Sequence, residues 1–249
     1  MKINYLVGKI TQNLIEMLPK RLKYRFELHF FRPDMAWSMS NLKLNGFRPQ
    51  KVLDVGAYMG DWTRTCKRVF PPAAVLMIEA QSGKKYFLQR VCKNYPDCRY
   101  VIALLGAEEK KGVFFQMDES VSRVLRASSG MVNNYQELPL STIDNLTKDS
   151  PFKSPQLLKL DVEGYELEVL KGAKTALASC EVVIMEISLI PLLEGVPSIY
   201  EVIKFMCEQN FRLYDIATFM RRPCDNSLYQ IDAIFVKNDS ALGDAIRGW

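Results

Sequence analysis

Histidine is nearly missing: the chain of 249 residues has one, His29. It lies outside the part of the sequence that reads as an α/β core, so imidazole-based catalysis or metal binding is excluded there. Cysteine occurs six times, at Cys66, Cys92, Cys98, Cys180, Cys207 and Cys224, but never as Cys-x-x-Cys. That scatter argues against a zinc site and reads as reduced thiols in a cytosolic protein. No apolar run is long enough to span a bilayer. The N-terminus lacks the unbroken apolar core and small-residue cleavage site of a signal peptide. Repeats, low-complexity tracts and clear linkers are missing too. The reading is one domain, residues 49–249, with an N-terminal extension, residues 1–48.

That extension holds most of the basic excess. Residues 1–51 carry ten Lys or Arg against three Asp or Glu, a balance of +7, which leaves −2 for the rest of a chain whose total is +5. Ile3, Leu6, Val7, Ile10, Leu14, Met17 and Leu18 form a helical stripe. Pro19 interrupts it, and Leu22, Phe26 and Phe30 form a second. One reading is a basic amphipathic element, residues 1–30, in peripheral contact with an anionic membrane, which would place the protein at its inner face. The other, which ranks ahead, is a helical extension packed on the core with its cations solvated.

From Lys51 onward, strands and helices alternate, which predicts a mostly parallel sheet with right-handed crossovers. The strands are expected at 52–55, 75–79, 100–103, 157–161 and 182–187. Helices are expected at 61–70, 84–94, 165–178 and 199–209, the last opened by a Ser198…Glu201 capping box. An added antiparallel strand is expected at 113–116, and a polar loop over the substrate side at 117–139. Residues 211–216 and 231–236 complete the sheet, the last strand antiparallel.

The first strand runs into Gly56-Ala57-Tyr58-Met59-Gly60. A strand, a tight glycine turn and a helix N-terminus bring a ligand close to the backbone. Gly-x-x-x-Gly argues against a dinucleotide, and with Glu79 closing the second strand it points to a nucleoside cofactor. Three acids stand at strand ends, Glu79, Asp161 and Glu186, with Glu163 just past Asp161 and Asp54 inside the first strand. Such acids often only cap helices or pair with a neighbour such as Lys159, but three on successive strands around one glycine turn point to a site.

Several linked motifs then become recognisable: Leu-Asp-Val-Gly-Ala-x-x-Gly (53–60), Ile-Glu-Ala (78–80), Leu-Ser-Thr-Ile-Asp (140–144) and Leu-Leu-Lys-Leu-Asp-Val-Glu-Gly-Tyr-Glu-Leu-Glu-Val-Leu-Lys-Gly-Ala (157–173). Met-Glu-Ile-Ser (185–188) and Gln-Ile-Asp-Ala-Ile-Phe-Val (230–236) follow in order. In this ordered set the chain resembles the FkbM family of S-adenosylmethionine-dependent O-methyltransferases over residues 51–237. Two positions depart: Tyr58 stands where the family usually has Asn, and Ser188 where relatives often carry His.

The resemblance implies a class I methyltransferase, Rossmann-like fold and methyl transfer to a hydroxyl of a sugar, glycan or glycosylated product. It implies S-adenosylmethionine held by Asp54, Gly56, Ala57, Tyr58, Gly60, Glu79, Ala80 and Ala103, with Glu79 on the ribose. Catalytic candidates are Asp161, Glu163, Glu186 and Lys159. Asp161, Glu163 and Glu186 form an oxygen-only set suited to Mg²⁺ or Mn²⁺. Two other classes stay open. A nucleic-acid methyltransferase would share the cofactor turn, but the basic excess is not interleaved with aromatics around the site, so no nucleic-acid partner is expected. A non-catalytic cofactor-binding scaffold would share the fold.

Overall fold

The structure, a computed structural model, describes residues 34–116, 123–124, 135–190 and 195–242. The amphipathic stretches expected within residues 1–30 lie outside them. One compact unit spans Met35–Trp249. Its first helix, α1 (Met35–Leu44), buries Met39 and Leu42 completely in the core. Residues 35–48 thus belong to the main unit, not to an extension ending at 48.

The sheet is built from β1 (Lys51–Val55), β2 (Ala74–Glu79), β3 (Cys98–Ile102), β8 (Leu157–Leu160), β9 (Val182–Ser188), β10 (Phe211–Arg221) and β11 (Leu228–Lys237). Its order is β10-β11-β9-β8-β1-β2-β3, and the five strands from β9 to β3 run parallel. β11 pairs antiparallel with both β9 and β10. Side chains alternate between two cores, as a pleat buried on both faces requires. Leu53, Val55, Leu76, Ile78, Leu158 and Leu160 face one; Val52, Val75, Met77 and Leu157 face the other. The second core is closed by α1, α2 (Asp61–Val69) and α3 (Lys85–Asn94).

Three expectations need correction. Part of the expected loop 117–139 is strand: β7 (Tyr135–Ser141) pairs with β4 (Leu104–Leu105) and β5 (Lys110–Gln116), and β5 with β6 (Arg123–Val124), in a separate small sheet. Around α4 (Ile143–Thr147) lies the reason for the second. The single helix expected over 165–178 is two, α5 (Glu166–Lys171) and α6 (Lys174–Ser179). A Cβ at Gly172 would meet the Gly106 carbonyl oxygen at 2.1 Å. The Asp144 carboxylate then caps α6, accepting from Thr175 N at 2.8 Å and Ala176 N at 3.0 Å. Third, the closing hairpin extends five residues past 216 on one strand and begins three before 231 on the other. Thr218 Oγ1 donates to Asp232 across it, continuing the pairing through polar positions. The capping box that opens α7 (Ile199–Glu208) has both its hydrogen bonds.

Candidate functional site

The parallel strands end around a cavity of about 310 Å³. Its floor is the turn after β1. Gly56 N and Ala57 N donate to Ile78 O at 2.9 and 3.1 Å, which ties the turn to β2. Gly56 has φ 73°, and a Cβ there would lie 1.7 Å from the Asp161 carbonyl oxygen, so only glycine fits between β1 and the end of β8. Tyr58 has φ 48°, a left-handed conformation easier for Asn than for a bulky ring. It is held there at the amide, since Tyr58 N donates to Glu79 Oε2 at 2.7 Å. The Lys84 ammonium lies 4.1 Å from the centre of its ring.

Glu79 has a structural role. Its second oxygen accepts from Gln81 N at 2.8 Å, so one buried carboxylate fastens both turns that rim the cavity. Burial raises its pKa, against the lowering effect of these amides and of Lys159.

Behind the turn lies a buried ion cluster. Asp54 is fully buried on β1, and Thr63 Oγ1 of α2 donates to its Oδ2 at 2.6 Å. Lys159 Nζ stands 3.3 Å from Asp54 Oδ1 and 3.3 Å from Asp161 Oδ2, and donates to the Gly56 carbonyl at 3.0 Å. Burial alone would lower the lysine's pKa, but the two carboxylates outweigh it and raise it above the ordinary value. Lys159 is the cation between these two carboxylates and compensates their charge.

Past β8 the chain turns, with φ 55° at Glu163 and 90° at Gly164. Asp161 and Glu163 nevertheless both line the cavity, together with Val162 and Tyr165. Val162 N and Gly164 N donate to Glu166 Oε1 at 3.0 and 3.2 Å, which fixes that turn. Burial, then the Asp161 and Glu166 charges, push the Glu163 carboxyl up to about 7. Burial also pushes Glu166 up to about 7, against its backbone donors. Glu186 is raised too, by burial first and then by Asp161, Glu163, Glu166 and Asp232. Asp232, directly across from Glu186 in the sheet, is raised by burial.

Of the expected residues, Gly56, Tyr58, Glu79, Ala80, Ala103, Asp161 and Glu163 line the cavity, whereas Asp54, Ala57, Gly60, Lys159 and Glu186 do not. Gly60 has a packing role: a Cβ there would meet Val91 Cγ2 at 2.7 Å and Met77 Sδ at 3.3 Å. The expected Mg²⁺ or Mn²⁺ site is not supported. Among the described residues no three His, Cys, Asp or Glu are arranged to hold a metal ion. The cation already beside Asp161 is Lys159. Sequence reasoning missed Glu166 and Asp232, although both lie inside the motifs at 157–173 and 230–236. It also missed Phe115, Leu104 and Leu105, which close the cavity from the small sheet.

A family model described as "Methyltransferase FkbM domain" matches residues 54–213. Among curated proteins, the Hexuronic acid methyltransferase AglP of Haloferax volcanii is 50% identical over 44 residues, 18% of this chain and 18% of that protein. Among solved structures, a putative O-methyltransferase from Klebsiella pneumoniae aligns with TM-score 0.47 at 11% identity, covering 81% of this chain and 79% of that one. Aeropyrum pernix fibrillarin, in complex with S-adenosyl-L-methionine, aligns with TM-score 0.46 at 12% identity, covering 80% and 76%. Likeness of that degree assigns no function.

Proposed function

Starting from a chain that belongs to the FkbM methyltransferase family, we propose that it binds S-adenosylmethionine in the β1–β2–β8 cavity and methylates a hydroxyl of a sugar or glycan. The observation that carries this reading is the arrangement of the cavity wall. The glycine turn, pinned by Glu79, and the acids Asp161 and Glu163 line one and the same cavity.

Methyl transfer from a sulfonium is an in-line displacement. The acceptor oxygen bonds to the methyl carbon while the carbon–sulfur bond breaks, and its electron pair stays on sulfur as the neutral thioether. The protein has to align donor and acceptor and to take the hydroxyl proton. Glu163 suits the second role, because it lines the cavity and its carboxyl sits near 7. It is a stronger base than an ordinary carboxylate, yet still ionises near neutral pH. Asp161, beside the Lys159 ammonium, orients the acceptor. The Glu79 carboxylate keeps free lone pairs for the ribose hydroxyls after accepting its two amides. The acids do not fit a metal ion, and the hydroxyl proton passes directly to a carboxylate. A sugar acceptor is supported by the short match to a protein named for hexuronic acid methylation.

The test is transfer of labelled methyl from S-adenosylmethionine to a panel of free and lipid-linked sugars. Label recovered as an ether on a sugar supports the reading. Tight cofactor binding with label on nitrogen or on nucleic acid would overturn the acceptor class.

A further inference from the structure

The helix beside the cavity has an outer face that methyl transfer does not use. Residues 81–96 contain no acid and four cations, Lys84, Lys85, Arg90 and Lys93. Leu88 and Val91 point inward and are fully buried, so α3 is already docked on the sheet through its apolar side. Its exposed positions 85, 86, 89, 90 and 93 then form one continuous outward strip. Arg99 is exposed on the sheet's edge strand β3, against which α3 packs, and it extends the positive strip sideways. Asp97, the nearest acid in sequence, is paired with Lys67. Among the described residues none of Lys84, Lys85, Arg90, Lys93 and Arg99 has a carboxylate partner within ion-pair distance.

We propose that this outer face of α3 docks on an anionic phospholipid surface. The charge complementarity is one-sided, because the strip offers cations and no acid. The shape also fits, because a convex helix meets a plane along a single line of side chains and offers no groove to clamp a strand. Tyr86, 62% exposed near the N-terminal end of the strip, is the kind of ring that settles among headgroups. The Arg90 guanidinium lies 5.9 Å from its centre, and the Phe87 ring meets it edge-on with centres 5.6 Å apart. Docking there would bring the cavity to the membrane. Lys84, at the start of the strip, covers the ring of Tyr58, and Tyr58 and Gln81 line the cavity.

The test uses the full chain and sedimentation with vesicles of equal parts phosphatidylglycerol and phosphatidylcholine, against vesicles of phosphatidylcholine alone. The variant is Lys85→Glu/Arg90→Glu/Lys93→Glu, all exposed and none of them lining the cavity. Circular dichroism and thermal unfolding establish that it is folded. The expected results are preference of the unaltered chain for the anionic vesicles, weakening with salt, and a loss of at least about a hundredfold in partitioning for the variant at low salt. Equal partitioning of variant and unaltered chain would assign any binding to another segment and overturn the proposal. So would absence of preference for anionic vesicles. Tighter binding to a single-stranded oligonucleotide than to vesicles, lost in the same variant, would reassign the face to nucleic acid.

Discussion

Lys159→Met removes one charge while nearly preserving side-chain length, and so isolates what the buried ammonium does. Asp54 is 0% exposed and its Oδ1 has no hydrogen-bond partner, so the Lys159 ammonium at 3.3 Å is what compensates that oxygen's charge. Taking away one partner of a buried ion pair leaves the other stranded, which costs about 3–5 kcal/mol. For a unit of this size each kcal/mol is worth about 2–4 °C, so unfolding should begin roughly 6–20 °C lower. The double variant Asp54→Asn/Lys159→Met replaces both charges with neutral groups, and the amide oxygen it puts on β1 still accepts from the Thr63 hydroxyl. It should recover more than half of the lost stability. Reversible thermal or urea unfolding of the three proteins is the assay. A single variant as stable as the unaltered chain would refute the reasoning. A double variant no better than the single would show that Asp54 is not the stranded partner.

Three further outcomes follow from the same geometry. Glu79→Ala orphans the amides of Tyr58 and Gln81, so unfolding measurements should show a loss of about 1.5–3 kcal/mol, and calorimetry a weaker cofactor. Gly60→Ala should destabilise by about 1–3 kcal/mol through its clash with Val91, with cofactor affinity little changed once folded protein is selected. Glu163 and Glu166, carboxyls raised to about 7, bind more protons folded than unfolded between their ordinary pKa near 4.5 and 7. Their contribution to stability is therefore full below about 4.5 and lost as pH rises through 7, while methyl transfer should rise over the same range as Glu163 ionises. Melting temperature and turnover followed against pH should move in opposite directions.

What the sequence disclosed depended on whether the cause was local. Gly56 is visible because a strand that stops at a glycine is a local signal, and the capping box at Ser198 needs only four residues. The break at Gly172 was not visible, because its cause is a carbonyl at Gly106 and a carboxylate at Asp144, both far away in sequence. The same holds for Gly60, whose neighbour Val91 lies on another helix. Acids at strand ends could be found by position, and Asp161 and Glu163 do line one cavity. The pairing with Lys159 was open to view as well, and Lys159 does stand beside Asp161. Position and charge could not reveal that each Glu79 oxygen accepts a hydrogen bond from a backbone amide. Of the small sheet, the strand expected at 113–116 lies within β5, but β7 escaped because polar residues before Pro139 read as a loop, and only pairing with β5 makes them a strand.

The central claim is that the cavity between the glycine turn and Asp161 is the cofactor site. Ala103 lines that cavity and is partly exposed, so the Ala103→Trp side chain should fill it. Isothermal titration with S-adenosylmethionine, paired with a melting curve for each protein, tests the claim. One bound cofactor per unaltered chain, and none for an Ala103→Trp variant of unchanged melting temperature, is the predicted result. No binding to the unaltered chain, or equal binding to both, would contradict it.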